Sequence, residues 1–126
     1  MAKLCPLFSG SSGNSYYIEA SGSGILVDAG RSAKQIENAM RANELDIKRV
    51  QAIFVTHEHS DHIKGVRVLA SRYHIPVYSS RGTLEGMEEA GALSEKFSAD
   101  VIGWEGMEVA NMRVVPFRTP HDSRES

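Results

Sequence analysis

QAIFVTHEHSDH, residues 51–62, joins an apolar run directly to a cluster of histidine and acidic side chains. Residues 51–56 are apolar on both faces, which is typical of a strand buried in the middle of a sheet. Because alternate residues of an extended segment point the same way, His57 and His59 can present two imidazoles to one point. The turn into the next helix then supplies Asp61 and His62, which face a second point.

These four side chains predict a metal site. Imidazole nitrogen with one carboxylate suits zinc, iron or manganese, and the lack of cysteine ligands argues against a structural zinc site. Two metals about 3.5–4 Å apart can hold a hydroxide between them and clamp an ester or phosphate oxygen. The sequence therefore predicts a hydrolase with Asp61 in its catalytic centre. The alternative, a surface turn that happens to be rich in histidine, is disfavoured by the strand-to-helix context.

The flanking sequence predicts a mixed sheet with helices on one face. Short apolar runs separated by Gly/Ser turns indicate a meander of three strands, and helical spacing of apolar residues follows from Ala33 to about Asn43, with Ser32 as the N-cap. After the motif we expect a helix over 63–73 capped by Asp61. The remaining predicted elements are the strands 3–9, 15–19, 25–28, 76–78, 101–102, 107–110 and 112–117, and a helix over 83–91 closed by Gly91.

Length and composition describe one structural unit. The chain has 126 residues, of which 41% are hydrophobic and 24% charged, with no repeat or linker, and this is the composition of a globular domain. The net charge of −2 gives no global attraction to nucleic acid or anionic lipid. Cys5 is the only cysteine and is expected to be a buried hydrophobe, so a reducing compartment is favoured. With no export signal or membrane span in the sequence, we predict a cytoplasmic protein without a membrane partner.

Three residues outside the motif are further site candidates. His121 follows a terminal strand and is either a third ligand to the first metal or a tail residue. Asp28 ends an apolar strand and is either a turn former or an acceptor that orients a ligand histidine, and we favour the acceptor role. Asn14, in the Gly/Ser-rich loop 9–14, either lines the site or only shapes the turn.

With these residues identified, the chain resembles the metallo-β-lactamase superfamily, and more narrowly its YycJ/WalJ branch. The resemblance lies in four stretches: SGSSGNSYYIE at 9–19, LVDAG at 26–30, IFVTHEHSDHIKGVRVLASRYHIPVY at 53–78, and TPHDS at 119–123. It implies the N-terminal half of an αββα sandwich. It also implies that His57, His59 and His121 ligate one metal, that Asp61 and His62 ligate the second, and that Asp28 supports them.

The resemblance further implies a reaction and a substrate. Members of this branch resemble nucleases and phosphodiesterases, so we expect a phosphodiesterase acting on DNA, of the double-stranded DNA exonuclease type, with two divalent ions, zinc or manganese. One alternative keeps the fold and hydrolyses thioesters or other esters. The other is a non-catalytic metal-binding fragment.

The sequence departs from the family pattern at its C-terminal end. The family fold has a second half that supplies a bridging aspartate and a last histidine, and residues 1–126 contain no counterpart of it. From this we expect residues 1–126 to be the N-terminal portion of the domain. We also expect one metal to bind more tightly than the other, and copies of the chain to self-associate through an uncovered apolar sheet face.

Overall fold

The computed structural model describes residues 2–117, which form a six-stranded sheet, a separate two-stranded hairpin and four α-helices. His121 and the predicted TPHDS stretch lie outside the described residues. The strands are β1 (Ala2–Phe8), β2 (Ser15–Ala20), β3 (Ser23–Val27), β4 (Val50–Phe54), β5 (Val77–Ser79), β6 (Ala99–Val101), β7 (Met107–Val109) and β8 (Met112–Val114). The helices are α1 (Ala33–Ala42), α2 (Ser60–Ile63), α3 (Val66–Tyr73) and α4 (Arg81–Glu89), and a single 3₁₀ turn covers Ile47–Arg49.

The large sheet is mixed, as predicted. Strands β1, β2 and β3 form the antiparallel meander, and β3, β4, β5 and β6 continue it as parallel neighbours. The spatial order of the six strands is the same as their order in the sequence. Parallel neighbours need crossover connections, and α1, the pair α2–α3, and α4 lie in those three connections. The carboxyl ends of β3, β4 and β5 therefore meet at one edge, which is where the HEHSDH motif begins.

Helix α1 begins where the sequence predicted. Ser32 is its N-cap: the Ser32 side chain accepts a hydrogen bond from the Gln35 backbone N–H, and the Gln35 side chain accepts one from the Ser32 backbone N–H in return. This reciprocal capping box satisfies two backbone donors that the first helical turn leaves open. The N-cap prediction is confirmed.

The helix predicted over 63–73 is wrong in two respects. The chain instead forms the short α2 and then α3, with a break at Gly65, where a Cβ would collide with the carbonyl oxygen of Arg31. The Gly65 N–H also donates to the carbonyl of Ala29 at 2.7 Å, so the break docks the motif onto the end of β3. Asp61 does not cap a helix, because α2 begins at Ser60 with His59 as its N-cap, and Asp61 lies in the first turn.

The two faces of the sheet are covered differently. The helices pack on one face over the main core, to which Leu26, Ile53 and Val77 contribute from the central strands. The other face carries a smaller buried cluster of Ile25, Ala52 and Phe54, over which the β7–β8 hairpin lies. Helices on one face of a mixed sheet are what the sequence predicted.

The prediction for Cys5 can be compared with its position in the first strand. Cys5 is a free thiol on β1 that packs against the main core as a hydrophobic residue, although it is partly and not completely buried. Strand β1 lies at the edge of the sheet, and within residues 2–117 it pairs with β2 alone.

No helix within residues 2–117 is long and apolar enough to cross a membrane.

Candidate metal centre

Asp28 is the residue around which the motif is organised. It follows β3, is buried at 3% exposure, and has a left-handed backbone with φ of 64°. Its Oδ1 accepts a hydrogen bond from the Thr56 backbone N–H at 2.8 Å, and its Oδ2 accepts one from the Thr56 hydroxyl at 2.7 Å. Asp28 Oδ2 also lies 2.7 Å from Nδ1 of His62. One carboxylate therefore fixes both the end of β4 and a motif histidine.

These contacts determine which nitrogen of each ring carries the proton. A carboxylate oxygen accepts hydrogen bonds, so Nδ1 of His62 is placed to donate to Asp28. The Thr56 hydroxyl proton is directed at Asp28, so the Thr56 oxygen accepts from Nδ1 of His57, which lies 3.1 Å away. When each ring is neutral, its Nε2 atom then carries the lone pair. This is the tautomer in which a carboxylate or hydroxyl behind the ring presents Nε2 to a metal.

The electrostatics of His62 follow from the same neighbours. The hydrogen bond to Asp28 raises the pKa of His62 above its ordinary value, and burial opposes this shift by disfavouring the charged ring. The charges of Asp28 and Asp61 add to the raising effect. The surroundings of His62 are therefore electronegative and favour a positive charge at this position.

Asp61 is positioned by the Gly/Ser-rich loop. The backbone N–H of Asn14 donates to the Asp61 carbonyl at 2.8 Å, and the Asn14 side-chain amide donates to the same carbonyl at 3.3 Å and to Oδ2 of Asp61 at 3.4 Å. Oδ2 of Asp61 is in turn 3.7 Å from Nε2 of His62. Asn14 thus contacts the motif directly, and its role in supporting a ligand remains a prediction.

Glycine at position 30 allows this close approach. A Cβ on Gly30 would collide with the carbonyl of Asp61 and come within 2.6 Å of the Asn14 backbone nitrogen. The Gly30 N–H donates to the Asn14 carbonyl at 2.8 Å, and the Ala29 N–H donates to the His62 carbonyl at 2.9 Å. Main chain from three separate segments is therefore packed tightly behind the motif.

The motif side chains lie together without converging fully on one point. The ring centroids of His57 and His62 are 4.7 Å apart, and those of His57 and His59 are 5.9 Å apart. Within residues 2–117, no three His, Cys, Asp or Glu side chains are gathered closely enough to hold an ion. The donor set nevertheless fits a metal chemically, because His62 and His57 present Nε2 and a carboxylate oxygen of Asp61 faces His62.

Sequence reasoning missed Thr56 and Glu58. Thr56 contacts Asp28, His57 and His62, and the only signal for it was a hydroxyl at the end of an apolar run. Glu58 packs its side chain against Gly86 of α4, a contact between residues far apart in the sequence. His74, by contrast, lies away from the motif as the left-handed C-cap of α3.

An apolar cavity of about 760 Å³ adjoins the motif on the hairpin side of the sheet. Phe54 and Tyr78 stack in its wall with ring centroids 5.5 Å apart, and His57 and Arg81 reach its margin. The motif therefore lies at the border between the strand ends and an open apolar surface.

Comparison with known proteins identifies the family. The model of the metallo-beta-lactamase superfamily matches residues 9–123, and the chain belongs to that superfamily. It is similar to Exodeoxyribonuclease YycJ of Bacillus anthracis, with 50% identity over 82 residues, covering 65% of this chain and 31% of the relative. Exodeoxyribonuclease WalJ of Streptococcus pneumoniae is 45% identical over 93 residues, covering 74% of this chain and 35% of the relative. The chain thus spans about a third of the length of these curated relatives.

Solved structures support the fold. A diphosphatase from the PhnP family superimposes with a TM-score of 0.77 at 21% identity, covering 98% of this chain and 59% of that structure. The metallo-beta-lactamase fold protein YhfI from Bacillus subtilis has a TM-score of 0.74 at 14% identity, covering 96% and 54%. At these identities the likeness concerns the fold alone.

Proposed function

We propose that this chain forms part of a metal-dependent phosphodiesterase that hydrolyses DNA, as an exodeoxyribonuclease. The observation that carries the proposal is the Asp28–Thr56 pair: Asp28 contacts Nδ1 of His62 and Thr56 contacts Nδ1 of His57, an arrangement in which each neutral ring presents Nε2. The similarity to the exodeoxyribonucleases YycJ and WalJ supports the DNA substrate. The single cysteine supports the cytoplasm as the proposed location.

Each motif residue has a distinct proposed role. His57, His59 and His121 would hold one divalent ion, zinc or manganese, and Asp61 and His62 a second. Bound metal supplies positive charge to the phosphate oxygens and acidifies water. Asp61 is the proposed catalytic carboxylate, Asp28 fixes the ring of His62, and Asn14 fixes Asp61. DNA is the proposed partner.

Metal content and activity test this proposal together. Elemental analysis is performed on the 126-residue chain, and cleavage of double-stranded DNA and of a bis-aryl phosphate is assayed on the natural gene product that contains it. We expect at least one zinc or manganese per chain, and a loss of both metal and cleavage in His59→Ala. The matched control is His74→Asn, which removes an exposed histidine outside the motif and keeps a residue that tolerates the left-handed C-cap.

The outcomes separate the competing functions. The metal-loaded protein could cleave neither phosphodiester but hydrolyse an acyl-glutathione. That result would favour an ester hydrolase of the same fold over a nuclease. Less than one metal per chain, without activity, would indicate a non-catalytic domain.

Asp28→Asn tests the support of the ligands. Asparagine tolerates the left-handed backbone and keeps the shape of the side chain, but it loses the charge and one acceptor. We expect metal affinity to fall by about 10- to 100-fold, the usual effect of losing a hydrogen-bond partner behind a metal ligand. Isothermal titration with zinc and manganese measures the change. An unchanged affinity would show that Asp28 does not support the metal ligands.

A further inference from the structure

Helix α4 has a glycine where a helix interior favours almost any other residue. Gly86 is the sixth residue of α4 and is buried, and glycine in a helix interior is less favourable than alanine. A Cβ built on Gly86 would lie 2.7 Å from Cγ, 2.8 Å from Cβ and 3.2 Å from Cδ of Glu58. The missing side chain leaves a notch in the helix, and the side chain of Glu58 fills it.

Glu58 is the residue between the first two histidines of the motif. Its neighbours in the chain, His57 and His59, have ring centroids 5.9 Å apart. Holding the middle residue of three consecutive residues limits the backbone rotation of both neighbours, so a seated Glu58 would restrict where both imidazoles point.

The seat is made by packing. Oε1 of Glu58 is buried, and no residue between 2 and 117 hydrogen-bonds to it. A carboxylate oxygen withheld from water costs free energy, so it does not stabilise the fold on its own account. The residues around Glu58 therefore hold its side chain against Gly86 at a cost in free energy, as is common for residues that position a functional group.

We infer that Glu58 is a positioning residue whose side chain, seated in the Gly86 notch, fixes the directions of His57 and His59 for metal binding. The inference rests on the metal site proposed above. It assigns α4 a role in the site, although α4 contributes none of the proposed ligands. The shape of Glu58 carries this role, and its charge does not.

Three variants test this inference by zinc and manganese titration, with thermal unfolding of the metal-free protein measured in parallel. Glu58→Ala empties the notch, Gly86→Ala fills it from the helix side, and Glu58→Gln keeps the shape without the charge. We expect metal affinity to fall about 10- to 100-fold in the first two and to stay within about threefold of wild type in Glu58→Gln. Glu85→Ala, at an exposed position on the same helix, is the matched control and should bind as wild type does.

A second measurement does not depend on metal. In the metal-free protein, the Cε1–Hε1 NMR resonances of His57 and His59 should shift in Glu58→Ala and remain in place in Glu58→Gln. The resonance of His74 should not move in either variant. The same resonances are recorded for Gly86→Ala, because the methyl group added there can destabilise the packing of the helix.

The possible results are distinct. Wild-type affinity in Glu58→Ala, with unmoved histidine resonances, would overturn the positioning role and leave the metal site intact. Equal loss in Glu58→Gln and Glu58→Ala would show that the charge matters, which also overturns it. A wild-type protein that binds no metal, with histidine resonances that respond as expected, would refute the proposed function while the seating of Glu58 stands.

Discussion

Strand β4 divides the molecule into two regions that bury apolar surface to different degrees. Ile53 points toward the helices, is completely buried, and belongs to a core to which strands β2 to β5 and helices α1 to α4 all contribute. Its neighbour Phe54 points to the opposite face, is 7% exposed, and belongs to a cluster that has two other buried members, Ile25 and Ala52, among residues 2–117. The difference indicates that the helical face carries most of the stability and that the hairpin face is the more open one.

Ile53→Ala should have the largest effect. Truncating a fully buried isoleucine removes apolar contacts and leaves a cavity that the packed helices cannot close, at a cost of about 2–5 kcal/mol. Urea unfolding followed by circular dichroism measures the free energy of unfolding. A cost below about 1 kcal/mol would mean that the helical face is not the main core.

Phe54→Ala should cost less, about 1–3 kcal/mol, although phenylalanine is the larger side chain. The space it leaves opens into a cavity of about 760 Å³ that already adjoins it, so little new cavity surface is created. The stacking of Phe54 on Tyr78 is also lost. The same urea experiment decides the order, and a cost above that of Ile53→Ala would reverse the comparison.

Self-association should depend on the hairpin face. Large apolar side chains are exposed around the cavity, including Val101 at 47%, Val115 at 53% and Phe117 at 75%. We predict that the weight-average mass in sedimentation velocity rises with protein concentration. Val101→Lys should raise the protein concentration needed for association by about tenfold. Val68→Lys is the matched control, because Val68 is 46% exposed but lies on α3 on the other face. A monomer at all concentrations would contradict the prediction.

Tyr17 offers the smallest effect and a readout confined to the helical face. Burial and a hydrogen bond from its hydroxyl to Glu19 at 2.8 Å raise the pKa of Tyr17 well above its ordinary value. Its contribution to stability is therefore fully present below pH about 10, where the unfolded tyrosine titrates, and is lost as the pH rises beyond it. We expect wild-type stability to fall more steeply than that of Tyr17→Phe above pH 10, as measured by urea unfolding. Parallel curves would place Tyr17 in a more solvated environment.

The sequence predicted the features that depend on neighbouring residues. The apolar runs placed the strands, the Ser32 signal placed the start of α1, and the position of Asp28 after an apolar strand suggested its contact with a motif histidine. The break between α2 and α3 was not predictable, because the obstacle at Gly65 is the carbonyl of Arg31, which only the folded chain brings near.

In the candidate site, too, contacts between distant segments could not be predicted from the sequence. Its side chains were evident from their spacing, but the supporting contacts join separate segments. Thr56 bonds to Asp28 across 28 positions, and Glu58 meets Gly86 across the same separation. No local pattern encodes such pairs, since a threonine after a strand and a glycine in a helix are each compatible with many other surroundings.

The matching order of strands in space and in sequence has a consequence for how the chain is made. Each strand of the six-stranded sheet pairs with the one synthesised just before it, so no strand has to wait for a distant later segment. The loops to be closed are only as long as one helical crossover, which keeps the entropic cost of each step small. The sheet can therefore extend one strand at a time as the chain leaves the ribosome, and the Asp28 contacts form once β4 and the motif have emerged.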